Sequence, residues 1–142
     1  MAIKFEQVGY SYRSADGSLF SALKDITFEI NHKDEFICLV GETGSGKSTL
    51  VQHMNALIHP QKGEVTIYGI KINKDVKKNK KVKLNPLRQK VGLVFQFPEY
   101  QLFEKTVEKD IMFGPKNFGV SEEEARERAL KTIKLVGLDE TY

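Results

Sequence analysis

Residues 41–49 read GETGSGKST. They satisfy the spacing G-x-x-x-x-G-K-[ST] with Gly41, Gly46, Lys47 and Ser48, and each residue type has a mechanical reason to be there. The glycines let successive backbone N–H groups turn inward around a phosphate with no Cβ in the way. Lys47 brings a mobile cation to the outer phosphates, and the Ser48 hydroxyl is a ligand for Mg²⁺. The helix expected from Lys47 onward aims the positive end of its dipole at the same anion. A chance match in a chain of this size falls below about one in a hundred. Context strengthens it. The continuous apolar run EFICLV (35–40) enters the loop, as expected of a strand buried on both faces of a parallel sheet. KSTLVQHMNALI (47–58) leaves it with helical spacing, closed by Pro60. A dinucleotide G-x-G-x-x-G would need glycine at Thr49, and a nucleophile elbow around Ser45 would need glycines at Thr43 and Lys47. The stretch therefore reads as a cradle for a nucleoside phosphate.

Outward from the loop, the chain alternates between strand and helix patterns. AIKFEQV (2–8) and LKDITFEI (23–30) alternate apolar and polar, as half-buried strands do, and Asp16-Gly17 between them signals an antiparallel turn. GEVTIYGIKI (63–72) reads as a strand pair, or a strand with a turn at Gly69, and VGLVF (91–95) as a second buried strand. TVEKDIMFGPKNFG (106–119) begins helically and is interrupted at Gly114-Pro115. SEEEARERALKTIKLVG (121–137) is a helix with a capping box of Ser121 and Glu124, acids in its first turn and Gly137 as its stop.

Composition excludes several function classes. With 142 residues the chain is long enough for one domain with a core. No apolar run reaches the ~18 residues of a membrane span, and the N-terminus has no signal-peptide core, so any membrane role is expected to be peripheral. Cys38 is the single cysteine; it excludes an internal disulfide, fits a reducing cytosol and reads as a small apolar core residue. His32, His53 and His59 have no metal-ligand spacing with it and read as structural or surface residues. The net charge of +3 is unevenly spread: residues 71–90 hold nine Lys/Arg against Asp75. That run is first a solvated surface loop. Binding to nucleic-acid phosphates or to an anionic membrane leaflet are its rivals, but no aromatic residue interleaves its lysines for stacking on bases, so no nucleic-acid partner is expected.

GETGSGKST, with its extra Gly44 and its Ser-Thr ending some forty residues into the chain, resembles the ATPase subunits of ABC transporters. The resemblance implies an α/β P-loop NTPase of ABC ATPase type, with an N-terminal antiparallel β layer and the first part of a parallel-sheet core, incomplete in this chain. It implies nucleotide contacts from Gly41, Glu42, Thr43, Gly44, Ser45, Gly46, Lys47, Ser48 and Thr49. It also implies an aromatic platform for adenine on the early strands, at Tyr12 in VGYSY with Tyr10 second; packing on strand neighbours is the alternative for either ring. Gln96, directly after 91–95, matches the Q-loop glutamine that reaches Mg²⁺ and the attacking water, so Lys47 and Gln96 are the catalytic candidates and Ser48 and Gln96 the metal candidates. FQFPEYQLFEKTVEKDIMFGPKNFGVSEEEA is similar to the ATPase subunits of energy-coupling factor (ECF) transporters, the group related to cobalt importers. In that region Phe97, Pro98, Glu99, Tyr100, Leu102 and Phe103 form a candidate recognition patch for a membrane subunit, aromatic anchors with a charged rim. Filling the chain's own core is the equal alternative for those aromatic residues.

On this resemblance residues 1–142 are the N-terminal part of one ATP-binding domain. Its antiparallel layer covers about 1–34 and 63–72, its P-loop core about 35–60 and 90–96, and a helical subdomain starts at about 97–142. The expected ligands are ATP and Mg²⁺. The expected partners are an integral membrane ECF transmembrane subunit, a substrate-binding membrane subunit and a second ATPase subunit, identical or sister, at the cytoplasmic face of the membrane. The implied activity is ATP binding and hydrolysis coupled to uptake of a vitamin or metal ion. The sequence has no LSGGQ-like signature, no apolar run ending in Asp-Glu and no switch histidine after it; VGLDE (136–140) follows a capped helix and is broken by Gly137. Phosphoryl transfer needs the metal and water held as well as the phosphates cradled. The chain is therefore expected to be the N-terminal part of a longer protein and to turn over nucleotide weakly or not at all alone, the alternative being a short module that binds nucleotide without hydrolysis.

Overall fold

The computed structural model describes residues 2–31, 36–76, 78 and 82–138. The chain divides into two units, residues 1–93 and 94–142. The first is built on an antiparallel sheet of order β2-β1-β3-β4, with β1 at Ile3–Arg13, β2 at Leu19–Ile30, β3 at Lys62–Ile67 and β4 at Ile70–Ile72. Local turn chemistry sets its pairing. The Ser14–Ser18 loop puts Arg13 opposite Leu19, with Gly17 at φ 85° and the Asp16 carboxylate accepting the Ser18 N–H at 2.9 Å. Tyr68 and Gly69 both take positive φ (46° and 81°) in a two-residue hairpin that pairs Ile67 with Ile70. The 63–72 segment is thus the strand pair of the two readings open in the sequence.

Alternation along β3 sends Val65 and Ile67 to one face; on β1 a bulge with Gln7 at φ 51° brings Val8 to the same face as Phe5, and all four are fully buried with Ile72, Ala56 and Leu87. Each large apolar side chain so buried contributes about 1.5–3 kcal/mol relative to exposure. Leu50 and Met54 of helix α1 (Lys47–Met54) pack against that core, and Phe5 stacks on Phe28 at 4.6 Å. Helix α1 is shorter than the 47–58 pattern. Asn55 leaves helical geometry, and Ala56 takes φ 54° to turn its methyl into the core. A short helix α2 (Asn85–Arg88), which the lysine-rich composition conceals, carries Leu87 into the same core while Arg88 donates to the Ala56 carbonyl at 3.3 Å.

Two expectations are corrected here. Residues 36–40 and 91–95 form no strand ladder, and Phe36, Ile37, Leu39, Val40, Val94 and Phe95 are exposed. Cys38 is exposed with them and is not a core residue. The physical reason is pairing. A parallel strand needs neighbours on both edges and helices on both faces, and no described residue supplies a ladder to either segment. Val91 alone keeps its place on the first unit's core, tied by its N–H to the Leu87 carbonyl at 3.0 Å. The expected strand residue Glu35, the layer boundary at 34, His32, Lys77, Lys80, Lys81 and the Asp139-Glu140 end of VGLDE lie outside the described residues.

The second unit pairs α3 (Val107–Asn117) with α4 (Glu122–Leu135) around Met112, Ala125 and Ala129. Pro115 lies inside α3 and does not interrupt it, because it removes one N–H donor in the last turn only. Its carbonyl accepts from Val120 N–H at 3.1 Å as Gly119 (φ 87°) turns the chain out. Gly137 ends α4 the same way, with Leu138 N–H on the Ile133 carbonyl. Ser121 caps Glu124 N–H at 3.3 Å, but the Glu124 carboxylate accepts from Arg128 one turn on, so only the serine half of the box forms as expected.

Candidate functional site

The loop 41–45 is exposed and turns into α1 through half-buried Gly46 at φ 91°. A Cβ there would stand 2.3 Å from the Ala22 carbonyl of β2, so glycine is required by both the backbone angle and the close approach. Gly44 also takes positive φ, 83°. Gly46 offers α1 no side-chain cap, and no acid stands in the first turn, so the helix presents its N-terminal amides and dipole without a competing carboxylate. That donor set fits a phosphate. Lys47 Nζ meanwhile donates to the Gly41 and Glu42 carbonyls, both at 2.6 Å, which folds the ammonium back across the mouth of the loop. Ser48 is exposed, and its hydroxyl is a chemically suitable oxygen ligand for Mg²⁺; Thr49, one residue on, is buried.

The sheet brings Tyr12 to the same place. Its hydroxyl lies 3.2 Å from Thr49 Oγ1, so the candidate adenine platform and the end of the P-loop meet directly. Tyr12 is 41% exposed, whereas Tyr10 is more covered and burial pushes its phenol pKa upward, with Tyr12 adding to the effect. Of the two tyrosines, Tyr12 is the more exposed. His53, expected to be structural or on the surface, is fully buried on α1. Burial pushes its imidazole pKa down, against the opposing hydrogen bond to the Thr49 carbonyl.

Gln96 belongs to the second unit, at an exposed bend after residues 91–95. Phe97, Tyr100, Leu102 and Phe103 follow it around a short 3₁₀ turn, Pro98–Gln101, that begins with Pro98 and Glu99, and all four are exposed. They do not fill a core of this unit. Phe97 and Tyr100 meet edge to face at 6.1 Å, Phe103 meets Phe113 at 4.6 Å, and Asp110 holds the Phe103 and Glu104 N–H groups, both at 3.2 Å. Among the described residues no cluster of three or more His, Cys, Asp or Glu side chains could hold a metal, and no helix is long and apolar enough to cross a membrane.

A P-loop entering a helix behind an antiparallel layer with an aromatic residue at its edge defines a class, and comparison with known proteins agrees. The ABC transporter family model matches residues 23–142, and the chain belongs to that family. Its curated relatives include the energy-coupling factor transporter ATP-binding protein EcfA2 of Enterococcus faecalis, 54% identical over 100% of this chain and 48% of the relative. EcfA2 of Clostridium perfringens is 50% identical over the same shares. The chain thus spans about half the length of the curated relatives it matches. Among solved structures, the ATP-binding cassette MJ0796, in a dimeric post-hydrolysis state bound to ADP and Pi, superposes with a TM-score of 0.78. It is 31% identical, covering 97% of this chain and 58% of that one. The cbiO1 protein of Clostridium perfringens, part of the ABC transporter complex cbiONQ, gives a TM-score of 0.69 at 34% identity, over 96% and 50% of the two chains. The resemblance of the sequence to ABC ATPases, and to their ECF group, is borne out at the level of family and relatives.

Proposed function

We propose that this chain forms the nucleotide-binding portion of an ECF-type importer's ATPase subunit, which couples ATP binding and hydrolysis to uptake of a vitamin or metal ion. The observation that carries it is the loop 41–49: glycines at positive φ, an uncapped helix N-terminus and a lysine ammonium folded onto the loop carbonyls all lie within nine residues. In this reading the amides of Gly41 to Thr49 cradle the phosphates. Lys47 leaves the Gly41 and Glu42 carbonyls for the outer phosphates, and Tyr12 stacks on adenine. Ser48 would offer Mg²⁺ a hydroxyl ligand, and Gln96 is the second metal candidate on the sequence resemblance alone; the ion would neutralise charge developing on the transferred phosphoryl group. The signature, the Walker B carboxylates and the switch histidine fall outside the motifs of this sequence. The relatives' additional length supports assigning turnover to a longer chain. Lys47→Ala abolishes tight Mg-nucleotide binding; unchanged affinity by calorimetry refutes the site.

The partners follow from the same reading: an integral membrane transmembrane subunit, a substrate-binding membrane subunit and a second ATPase subunit, at the cytoplasmic face of the membrane. Exposure of Phe97, Tyr100, Leu102 and Phe103 around Pro98 and Glu99 supports their use as the docking patch. Tyr100→Asp in the full-length protein then lowers co-purification with the membrane subunit while ATP affinity stays unchanged. Undiminished recovery would remove the patch from the interface.

A further inference from the structure

A stacking platform is useful only when its ring is held still, since a mobile side chain returns part of the stacking gain as lost rotamer freedom on binding. Tyr12 is exposed on a strand; two contacts hold it directly and two more stand behind them. Its hydroxyl is 3.2 Å from Thr49 Oγ1. Its ring meets the Tyr10 ring edge to face at 5.0 Å and 75°, and Tyr10 meets the His53 imidazole at 5.2 Å and 81°. His53 Nδ1 is 2.7 Å from the Thr49 carbonyl. The circuit therefore begins and ends at Thr49. Two periodicities produce it: residues two apart on β1 share a sheet face, and residues four apart on α1 share a helix face.

Resting on the reading that the P-loop and Tyr12 hold a nucleoside triphosphate, we infer that Tyr10 and His53 are positioning residues for its base, fixing the Tyr12 ring relative to the P-loop helix. The chemistry of each member fits. The Thr49 carbonyl can only accept, so His53 carries its proton on Nδ1, and its buried Nε2 has no hydrogen-bond partner among the described residues. A leucine at 53 would fill the volume beside Phe5 but could neither donate to Thr49 nor present an aromatic edge to Tyr10. The Thr49 and Tyr12 hydroxyls each carry one proton and two lone pairs, so either can donate across the 3.2 Å that joins them.

The test separates base from phosphate. Binding of Mg-ATP and of Mg-tripolyphosphate, which lacks the nucleoside, is measured on the full-length protein for wild type, Tyr10→Leu, Tyr10→Phe and Tyr12→Phe. Tyr10→Leu weakens ATP about threefold to tenfold while tripolyphosphate binding is unchanged, and Tyr10→Phe, which keeps the ring, restores most of the loss. Tyr12→Phe, an exposed change that removes only the hydroxyl link, weakens ATP about threefold with tripolyphosphate again unchanged. ATP affinity unaffected by either variant, or ATP and tripolyphosphate weakened in parallel, overturns the positioning role. Should Tyr10→Leu not fold, Tyr12→Phe alone decides. Failure of the wild type to bind either ligand is a different result and refutes the P-loop reading itself.

Discussion

Two regions of the first unit invert the usual relation between hydrophobicity and burial. FICLV (36–40) is an unbroken apolar run, yet Phe36 is 94% exposed and Val40 90%. IKFEQV in β1 is half polar, yet Phe5 and Val8 are completely buried. The difference lies in where partners come from. An antiparallel strand recruits its neighbour through a hairpin of a few residues, and both β1–β2 and β3–β4 do so here. A parallel strand depends on neighbours reached through long crossovers, and no described residue pairs with 36–40. Burial is thus set by the supply of backbone partners, with side-chain character deciding only which face is used. An unpaired apolar strand segment is also a template for another edge, so a chain that leaves 36–40 open invites association.

The largest expected effect tests this contrast directly. Phe5→Ala removes a fully buried ring stacked on Phe28 and costs about 3–5 kcal/mol in urea unfolding of the chain. Phe36→Ala, a change of the same size, stays within about 0.5 kcal/mol because its ring is already in water. Comparable losses for the two would break the comparison and place residues 36–40 in a core. Repeating both in a full-length protein sharpens it. If added chain covers 36–40, the cost of Phe36→Ala rises toward that of Phe5→Ala.

The same contrast explains what was legible in the sequence. Signals contained within a few residues carried through to the structure: the P-loop spacing, the Asp16-Gly17 turn, the Gly69 hairpin, and Ser121 and Gly137 at the ends of α4. Features set by distant chain did not. The apolar runs at 36–40 and 91–95 pointed to burial because their composition suits it, but composition cannot supply a neighbour. Pro115 pointed to a break in α3, which the Gly119 turn just beyond it makes harmless. Glu124 had two acceptable partners, and Arg128 won over the cap. His53 looked unremarkable because its role depends on Thr49 one turn earlier and on Tyr10, forty-three residues away in sequence. Of the candidate site, the glycine-rich turn into α1 was readable from spacing alone, whereas the meeting of Tyr12 with Thr49 needed the sheet.

A smaller effect comes from His53 and distinguishes the paired region by its response to acid. Its folded pKa lies below the usual histidine value, first because burial disfavours the imidazolium and despite the Thr49 carbonyl, which favours it. The unfolded chain therefore binds this proton at a higher pH than the folded chain does. Unfolding free energy falls as pH drops below about 6.5, and it keeps falling until the folded pKa is passed, with a slope of at most about 1.4 kcal/mol per pH unit. The contribution is fully present above that window. His53→Gln, measured by urea unfolding between pH 7.5 and 5, loses this part of the slope while carboxylates such as Asp16 and Glu6, whose pKa values are lowered, titrate further down. Residues 36–40 contain no histidine and no carboxylate, so acid should loosen the sheet and α1 without changing the exposure of Phe36. An identical pH slope in wild type and His53→Gln would show that the imidazole is not held neutral in the fold.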